Sequence, residues 1–268
     1  MLKDITLGQF FPGNSRIHRL DPRTQLIILV AYIVALFMAK SWLSYGLCFA
    51  FLAFAVWVSK IPVKSIVKGM KPLVMILVFT GVLNLFFTEG EKVLLQIWVI
   101  TITLEGVLRA FFMVSRILML ISATFLLTYT TSPISLTDGL EALMNPLRYI
   151  KVPVHELSMM MCIALRFIPT LIEETDKIIS AQKARGADFE SGSLMKRVKA
   201  LVPILVPLFI SAFRRADELA TAMECRCYHG GEGRTKMKLL RYKRSDYLSF
   251  LALPLLWAAV VVLVKIGL

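Results

Sequence analysis

The side chains that could bind a metal ion or act in acid–base catalysis are few and far apart in this sequence. It has three histidines, His18, His155 and His229, and none of them belongs to an HExxH motif. Cys225, Cys227 and His229 form a C-x-C-x-H pattern, which lacks the fourth ligand and the ligand spacing of a structural zinc site. The sequence therefore predicts no metal site, no cofactor and no enzymatic activity in this chain.

A glycine-rich segment at residues 230–236 reads GGEGRTK and shows a partial likeness to a phosphate-binding loop. The loop of P-loop ATPases ends in Gly-Lys-Ser or Gly-Lys-Thr and follows a β-strand. This segment has neither feature, so we do not expect the chain itself to bind ATP.

Two arginines each end a long helical pattern and stand between small residues. They lie in the triplets Ala184-Arg185-Gly186 and Cys225-Arg226-Cys227. One such arginine is ordinary, because the helix dipole favours a cation at the C-terminus and glycine is a common stop signal. Two of them, each with small neighbours, favour a binding role, since a guanidinium offers five donors in a fixed fork. We therefore predict that Arg185 and Arg226 dock into acidic or carbonyl-lined grooves of a partner.

The composition identifies the class of protein that carries these arginines. Of the 268 residues, 57% are hydrophobic and 18% are charged, and the mean hydropathy is +0.71, which indicates an integral membrane protein. The net charge of +13 does not predict nucleic-acid binding, because the basic residues cluster beside apolar runs, where they would meet lipid headgroups.

Five apolar runs are long enough to predict membrane-spanning helices, so we expect an all-α fold. They are Thr24–Ala39, Ser41–Ser59, Leu73–Phe87, Leu104–Thr130 and Tyr247–Val264. The residues from 93 to 103 are β-branched and aromatic, and their pattern is compatible with either a small hairpin or the start of a helix. Asn84 lies in the third run, where we expect an interhelical hydrogen bond.

Between the fourth and fifth runs the pattern predicts two long helices that end at the arginine triplets. The apolar stretch Ala200–Phe213 is roughly 21 Å long as a helix, against about 30 Å for a hydrocarbon core, so we expect neither long helix to cross the membrane. The predicted domains are a membrane domain of four spans (1–130), a cytoplasmic domain of coupling helices (131–232), and a basic linker with a C-terminal span (233–268). The distribution of Lys and Arg predicts a cytoplasmic N-terminus and an external C-terminus.

Nearly the whole chain resembles the transmembrane (T) components of energy-coupling factor (ECF) transporters, a family that includes subunits of cobalt and biotin uptake systems. Ala184-Arg185-Gly186 matches the family's signature triplet in full, while Cys225-Arg226-Cys227 keeps the arginine of the second triplet but not its neighbours. The other matching segments are PGNSRIHRLDPRTQL, ITLEGVLRAFFMVSR, TTSPISLTDGLEALMNPL, ALRFIPTLIEE, AQKARGADF and RRADELATAMECRCY.

The resemblance implies a scaffold in the plasma membrane of a prokaryote, with two kinds of partner. Two ABC ATPase subunits would bind the triplets around Arg185 and Arg226, and a substrate-binding membrane subunit, the S component, would rest on the long helices. The ATPase activity would reside in the partners. ATP-driven movement of the long helices would then tilt the S component and release a vitamin or another micronutrient into the cell.

Four methionines lie near the start of the first long helix, at Met144, Met159, Met160 and Met161. Because methionine side chains are flexible and polarisable, they can repack against different partners. They are candidates for contact with exchangeable S components, and ordinary core filling is the competing explanation.

Two other classes of membrane protein are possible. A self-sufficient secondary transporter or channel would need broken helices and intramembrane carboxylates at the midplane, and the five predicted spans have neither. A membrane-embedded enzyme would need a cluster of histidine, cysteine or carboxylate side chains, which the sequence does not offer.

Overall fold

The structure is a computed structural model that describes residues 10–88, 93–97, 100–187, 189, 193–231 and 239–266. Over these residues the fold is almost entirely helical. The helices are α1 Pro22–Met38, α2 Trp42–Ser59, α3 Val63–Met70, α4 Val74–Phe87, α5 Leu104–Thr130, α6 Pro133–Met144, α7 Val154–Ala184, α8 Leu194–Glu224 and α9 Arg244–Ile266. Short 3₁₀ turns precede α4 and follow α6. The predicted all-α fold is confirmed.

The chain forms two compact units, and its C-terminal helix belongs with the N-terminal spans. The first unit, here called the spanning unit, contains α1 to α5, the start of α6, and α9. The second, here called the long-helix unit, contains the end of α6 with α7 and α8. The boundary falls inside α6, between Leu140 and Glu141, and again between Leu239 and Leu240. The three-domain division at 130 and 232 remains a prediction from the sequence.

The core of the spanning unit is formed by α1, α2, α5 and α9. Leu36 and Cys48 are fully buried, and Met119 and Val260 pack in the same cluster. Trp257 of α9 donates its indole N–H to the carbonyl of Ala31 at 3.0 Å. Since α9 enters this core directly, the last helix is an integral part of the spanning unit.

The first turns of α1 and α9 are joined by buried carboxylates. Asp21 caps α1 by accepting the backbone N–H of Arg23 at 3.0 Å, and its carboxylate also pairs with the Arg23 guanidinium. Asp246 is fully buried and accepts the backbone N–H groups of Asp21 at 2.8 Å and Lys243 at 2.7 Å. Arg23 also stacks over the ring of Tyr242, 4.1 Å from its centroid. We call these residues the Asp21–Asp246 clamp.

The stretch before α5, for which the sequence left two alternatives, is a β-hairpin. Strands β1 (Val93–Ile97) and β2 (Ile100–Thr103) are antiparallel, with Ile97 opposite Ile100. Thr103 ends the hairpin and caps α5 by accepting the backbone N–H of Gly106 at 3.1 Å. The β-branched residues are better suited to a strand than to another helical turn, and this settles the choice.

The expectation for Asn84 was wrong. Its amide donates to the carbonyl of Thr80, one turn back in α4, at 2.9 Å. A polar side chain in a spanning helix can satisfy its donor within its own helix, so it needs no neighbour. Helices α4 and α5 approach each other closely at two glycines: a Cβ at Gly106 would lie 3.1 Å from the carbonyl oxygen of Leu85, and a Cβ at Gly81 would lie 3.4 Å from Val114.

Five helical segments are long and apolar enough to cross a membrane among the described residues, but they are not the five that we predicted. They are Trp42–Ser59, Val63–Phe87, Leu104–Thr130, Val154–Ala184 and Arg244–Lys265. Helix α1 is the shorter apolar helix, with 17 residues. Helix α7 is among these segments, and α8 is not. The prediction that neither long helix has the length to cross was therefore wrong for α7.

Helices α7 and α8 run antiparallel over most of their length in the long-helix unit. Near the end of α7, Gln182 lies beside Pro203, and further back Glu174 lies beside Arg215. At the other end, Ile163 and Phe167 line a cavity of about 450 Å³ together with residues from the last turns of α8. Each helix has 31 residues, so each is about 46 Å long.

Candidate docking site

Helix α7 ends in a Schellman motif centred on the first arginine triplet. The backbone N–H of Ala187 donates to the carbonyl of Gln182, and that of Gly186 to the carbonyl of Lys183, both at 3.0 Å. This pattern requires a left-handed residue just after the helix, and Gly186 has φ +87°. Arg185 therefore occupies the position immediately before the left-handed residue.

Helix α8 ends in the same motif, with cysteine in place of glycine. The backbone N–H of Tyr228 donates to the carbonyl of Met223 at 3.1 Å, and that of Cys227 to the carbonyl of Glu224 at 2.8 Å. Cys227 adopts the left-handed conformation with φ +55°. Arg226 thus has the same place in its cap as Arg185 has in the first.

Both triplets lie at the surface. All six residues, Ala184, Arg185, Gly186, Cys225, Arg226 and Cys227, are exposed. Within the described part of the chain, neither guanidinium has an ion-pair partner. A Cβ at Gly186 would meet no atom within 4 Å, so the space around that cap is open. The two arginines can be reached from outside the protein.

The antiparallel packing keeps the two arginines apart. Gln182, near the end of α7, lies beside Pro203 in the first third of α8. Arg226 is on the order of 35 Å further along the axis of α8. Two sites at that distance suit two separate binding grooves better than a single groove, a feature that the sequence alone did not reveal.

Polar contacts hold α7 against α8. The guanidinium of Arg215 donates to Glu174 at 2.9 Å. Pro207 has no N–H, so the carbonyl of Pro203 loses its partner in the helix, and the side-chain amide of Gln182 lies 3.4 Å from it. These contacts join the two helices at separate points along their length.

The methionines near the start of α7 are only partly accessible. Met160 and Met161 are exposed, whereas Met144 and Met159 are half-buried. The start of α7 is held to the end of α6 by Glu141, which contacts His155 Nδ1 at 3.2 Å and accepts a hydrogen bond from Ser158 at 2.9 Å. Two of the four methionines therefore present a surface to a partner.

No group of three or more metal-ligating side chains comes together in the portion of the chain that the structure describes. Cys225 and Cys227 are free thiols at the surface, and His229 is also exposed. Their geometry is that of an exposed helix end, and we assign them no ligand.

Comparison with known proteins identifies the family of this chain. A family model described as cobalt transport protein (CbiQ) matches residues 13–237. A relative from Thermosediminibacter oceani is 55% identical over 255 residues, which is 95% of this chain and 96% of the relative. Relatives from Ruminiclostridium cellulolyticum (54% identical, 92% of both chains) and Listeria innocua (47% identical, 96% of this chain and 97% of the relative) are similarly close.

All three relatives are named energy-coupling factor transporter transmembrane protein EcfT. With its long apolar helices, this chain is a multi-pass membrane protein and a transmembrane component of a transporter. The resemblance found over nearly the whole chain is confirmed, and the chain belongs to the CbiQ/EcfT family of transmembrane (T) components of ECF transporters.

Proposed function

We propose that this T component is the scaffold through which two ABC ATPase subunits drive a substrate-binding S component during the uptake of a vitamin or another micronutrient. In this scheme ATP is hydrolysed by the partners, and the chain transmits the resulting movement. Its membership of the family and its multi-pass helical fold support the proposal.

The observation that carries the proposal is the equivalence of the two arginine caps. Arg185 and Arg226 hold the same position in the same backbone motif, and both are exposed at the ends of 31-residue helices. A guanidinium held by a rigid cap can enter a carbonyl-lined or acidic groove without first being ordered, which lowers the entropic cost of docking. The wide spacing of the caps supports one ATPase at each.

The link between α7 and α8 supports their movement as a pair. A displacement of either arginine by its partner would move the whole of a stiff helix. The ion pair between Arg215 and Glu174 would then couple that movement to the other helix. Helix α8 also presents a row of apolar side chains, each more than half exposed, on one face: Val198, Val202, Leu205, Phe209 and Phe213. This face is suited to an apolar partner such as the S component.

The methionines at the start of α7 are proposed as a second part of that contact. Met160 and Met161 are exposed and flexible, which favours repacking against several S components. For the topology, we propose a cytoplasmic N-terminus and an external C-terminus, because Lys and Arg are concentrated in the segments that would then face the cytoplasm.

The subunit composition of the complex tests this function. Extraction of the tagged chain in mild detergent should recover two ATPase chains and an S component, and uptake into vesicles should require all of them. Uptake by vesicles that contain this chain alone would instead support a self-sufficient secondary transporter, and nothing in the site or the comparisons favours that alternative.

A further inference from the structure

The spanning unit contains a groove of about 360 Å³, and no residue of either arginine triplet lines it. Its floor contains the buried side chains of Tyr32, Leu52 and Leu126. Its rim contains Phe54 on α2 and Leu248 on α9, which are 62% and 69% exposed. The groove therefore opens sideways, between two helices whose outer surfaces are apolar.

Four helices line the groove, and each contributes about two turns at the same end of the bundle. The lining lies near the starts of α1 and α9 and near the ends of α2 and α5, within the stretches 25–32, 245–252, 51–58 and 123–130. Two turns of helix correspond to about 10 Å, against about 30 Å for the hydrocarbon core of a bilayer. The groove thus extends along part of one leaflet.

Several polar side chains in the wall are hydrogen-bonded within the protein. Gln25 donates its side-chain amide to the carbonyl of Ile17 at 2.7 Å, and its oxygen accepts the hydroxyl of Thr131. Thr130 and Ser249 each donate to a carbonyl in their own helix, at 2.8 Å and 2.9 Å. Few polar groups are left to attract water, so the wall is suited to a hydrocarbon chain.

Arg16 lies at one end of the groove and is the single charged side chain among the described residues that line it. The side chain is exposed, and among the described residues it has no ion-pair partner. It precedes α1, so it lies at the end of the bundle where α1 and α9 begin. A guanidinium there can meet a phosphate bidentately at the surface of the bilayer.

We propose that this groove binds an anionic phospholipid, with one acyl chain between α2 and α9 and the phosphate at Arg16. Three of the helices that form it, α2, α5 and α9, are long and apolar enough to span the membrane, and both rim residues lie on two of these, so lipid is the medium onto which the rim opens. Basic pockets between spanning helices are a recognised mode of headgroup binding. An acyl chain in the groove would fill a gap that the described residues leave open, which improves packing around α9.

Native mass spectrometry of the full chain, extracted in detergent and delipidated, tests the proposal. Phosphatidylglycerol and phosphatidylcholine with identical acyl chains are added in turn, and the bound lipid is counted. The wild type should retain phosphatidylglycerol in preference. Arg16→Gln should weaken its retention by roughly tenfold, because one charge-assisted contact is lost. Retention of phosphatidylcholine should fall less, because its choline group offsets the charge of the same phosphate. Arg19→Gln, an exposed arginine in the same loop that does not line the groove, is the matched control.

A second variant tests whether the acyl chain binds in the apolar groove, without disturbing the core of the spanning unit. Ala252 lines the groove from an exposed position on α9, so Ala252→Phe fills the gap and should reduce the retention of both lipids. Ala258→Phe changes an exposed alanine of the same helix outside the groove and should have no effect. Equal retention of both lipids by wild type and Arg16→Gln would overturn the headgroup assignment. Loss of a protein subunit, with lipid kept, in Ala252→Phe would show that the groove is a protein-docking site.

Discussion

Gly186 and Cys227 hold the same position in the two helix caps, although one residue favours the left-handed conformation and the other does not. Their φ angles are +87° and +55°, and each donates its backbone N–H to the carbonyl three residues earlier. A Cβ in this conformation costs roughly 1–2 kcal/mol, and glycine avoids that cost. The second cap is therefore built with strain that the first lacks, yet it places its arginine in the same way.

This difference predicts unequal effects of alanine at the two positions. Gly186→Ala should lower the stability of the protein by about 1 kcal/mol, because the new Cβ has to adopt the left-handed conformation. Cys227→Ala should cost less than about 0.5 kcal/mol, since both residues carry a Cβ and the site is exposed. Thermal unfolding in detergent, followed by circular dichroism, measures both. Equal losses would contradict the equivalence of the caps.

Charge reversal at the caps should prevent capture of the ATPases. Arg185→Glu or Arg226→Glu should each weaken binding by at least about thirtyfold, since loss of one partner of a buried charged contact costs roughly 2–5 kcal/mol. Copurification of ATPase subunits with the tagged chain is the measurement. Arg214→Glu makes the same change at an exposed arginine within α8 and is the control. Full transport by the double variant Arg185→Glu/Arg226→Glu would remove the basis for the docking assignment.

The sequence predicted the approximate position of some helices, because long apolar runs are strong local signals. The fourth span was expected from near Leu104 to about Thr130, and α5 has these bounds, with Thr103 as its cap. Such signals describe one helix at a time. The direction of α8 against α7, and hence the separation of the arginines, depends on contacts between residues far apart in sequence, such as Glu174 with Arg215.

The left-handed cap at Cys227 could not be predicted from the sequence, for a different reason. Glycine after a helix is a recognised stop signal, so the end of α7 could be identified from its sequence. Cysteine has no preference for the left-handed conformation, and only the hydrogen bonds of Cys227 and Tyr228 reveal the same motif. The partner of Asn84 was missed because a choice between Thr80 and a neighbouring helix depends on packing.

The pair formed by Arg215 and Glu174 should matter more for coupling than for stability. Because both side chains are partly exposed, breaking the pair with Arg215→Ala should cost less than about 1 kcal/mol. ATPase capture should persist, while the amount of substrate taken up per ATP hydrolysed should fall. The swapped pair Glu174→Arg/Arg215→Glu should recover part of the coupling, and a swap no better than the single variant would contradict a direct role for this contact.

The Asp21–Asp246 clamp should make stability depend on pH in the acidic range. Burial raises the pKa of the Asp21 carboxyl, but the hydrogen bonds and charge of Arg23, with the charge of Lys243, lower it below its ordinary 3.8. Because the pKa of Asp21 is lower in the folded state, its ionised carboxylate stabilises the fold. This contribution to the free energy of unfolding is complete above pH 3.8 and is lost as the pH falls through the lowered pKa.

Two variants separate the charge of Asp21 from its role as a cap. The Asn side chain of Asp21→Asn has an oxygen that can accept the N–H of Arg23, but the side chain cannot ionise. The free energy of unfolding of this variant should therefore change less than that of the wild type between pH 5 and pH 3. Asp21→Ala removes the cap as well and should cost about 1 kcal/mol at neutral pH. Thermal unfolding across this pH range measures both. An identical pH profile for wild type and Asp21→Asn would show that other carboxyl groups dominate.

Replacement of the methionines should narrow the range of S components that the scaffold accepts. Met160→Leu/Met161→Leu keeps the apolar volume but removes the unbranched, flexible thioethers at the two exposed positions. Uptake should fall for some substrates and persist for others, with ATPase copurification unchanged. Met144→Leu/Met159→Leu changes the two half-buried members and is the matched control. If both pairs leave the uptake of every substrate unchanged, the methionines only fill space at the start of α7, since a leucine of similar volume would serve as well.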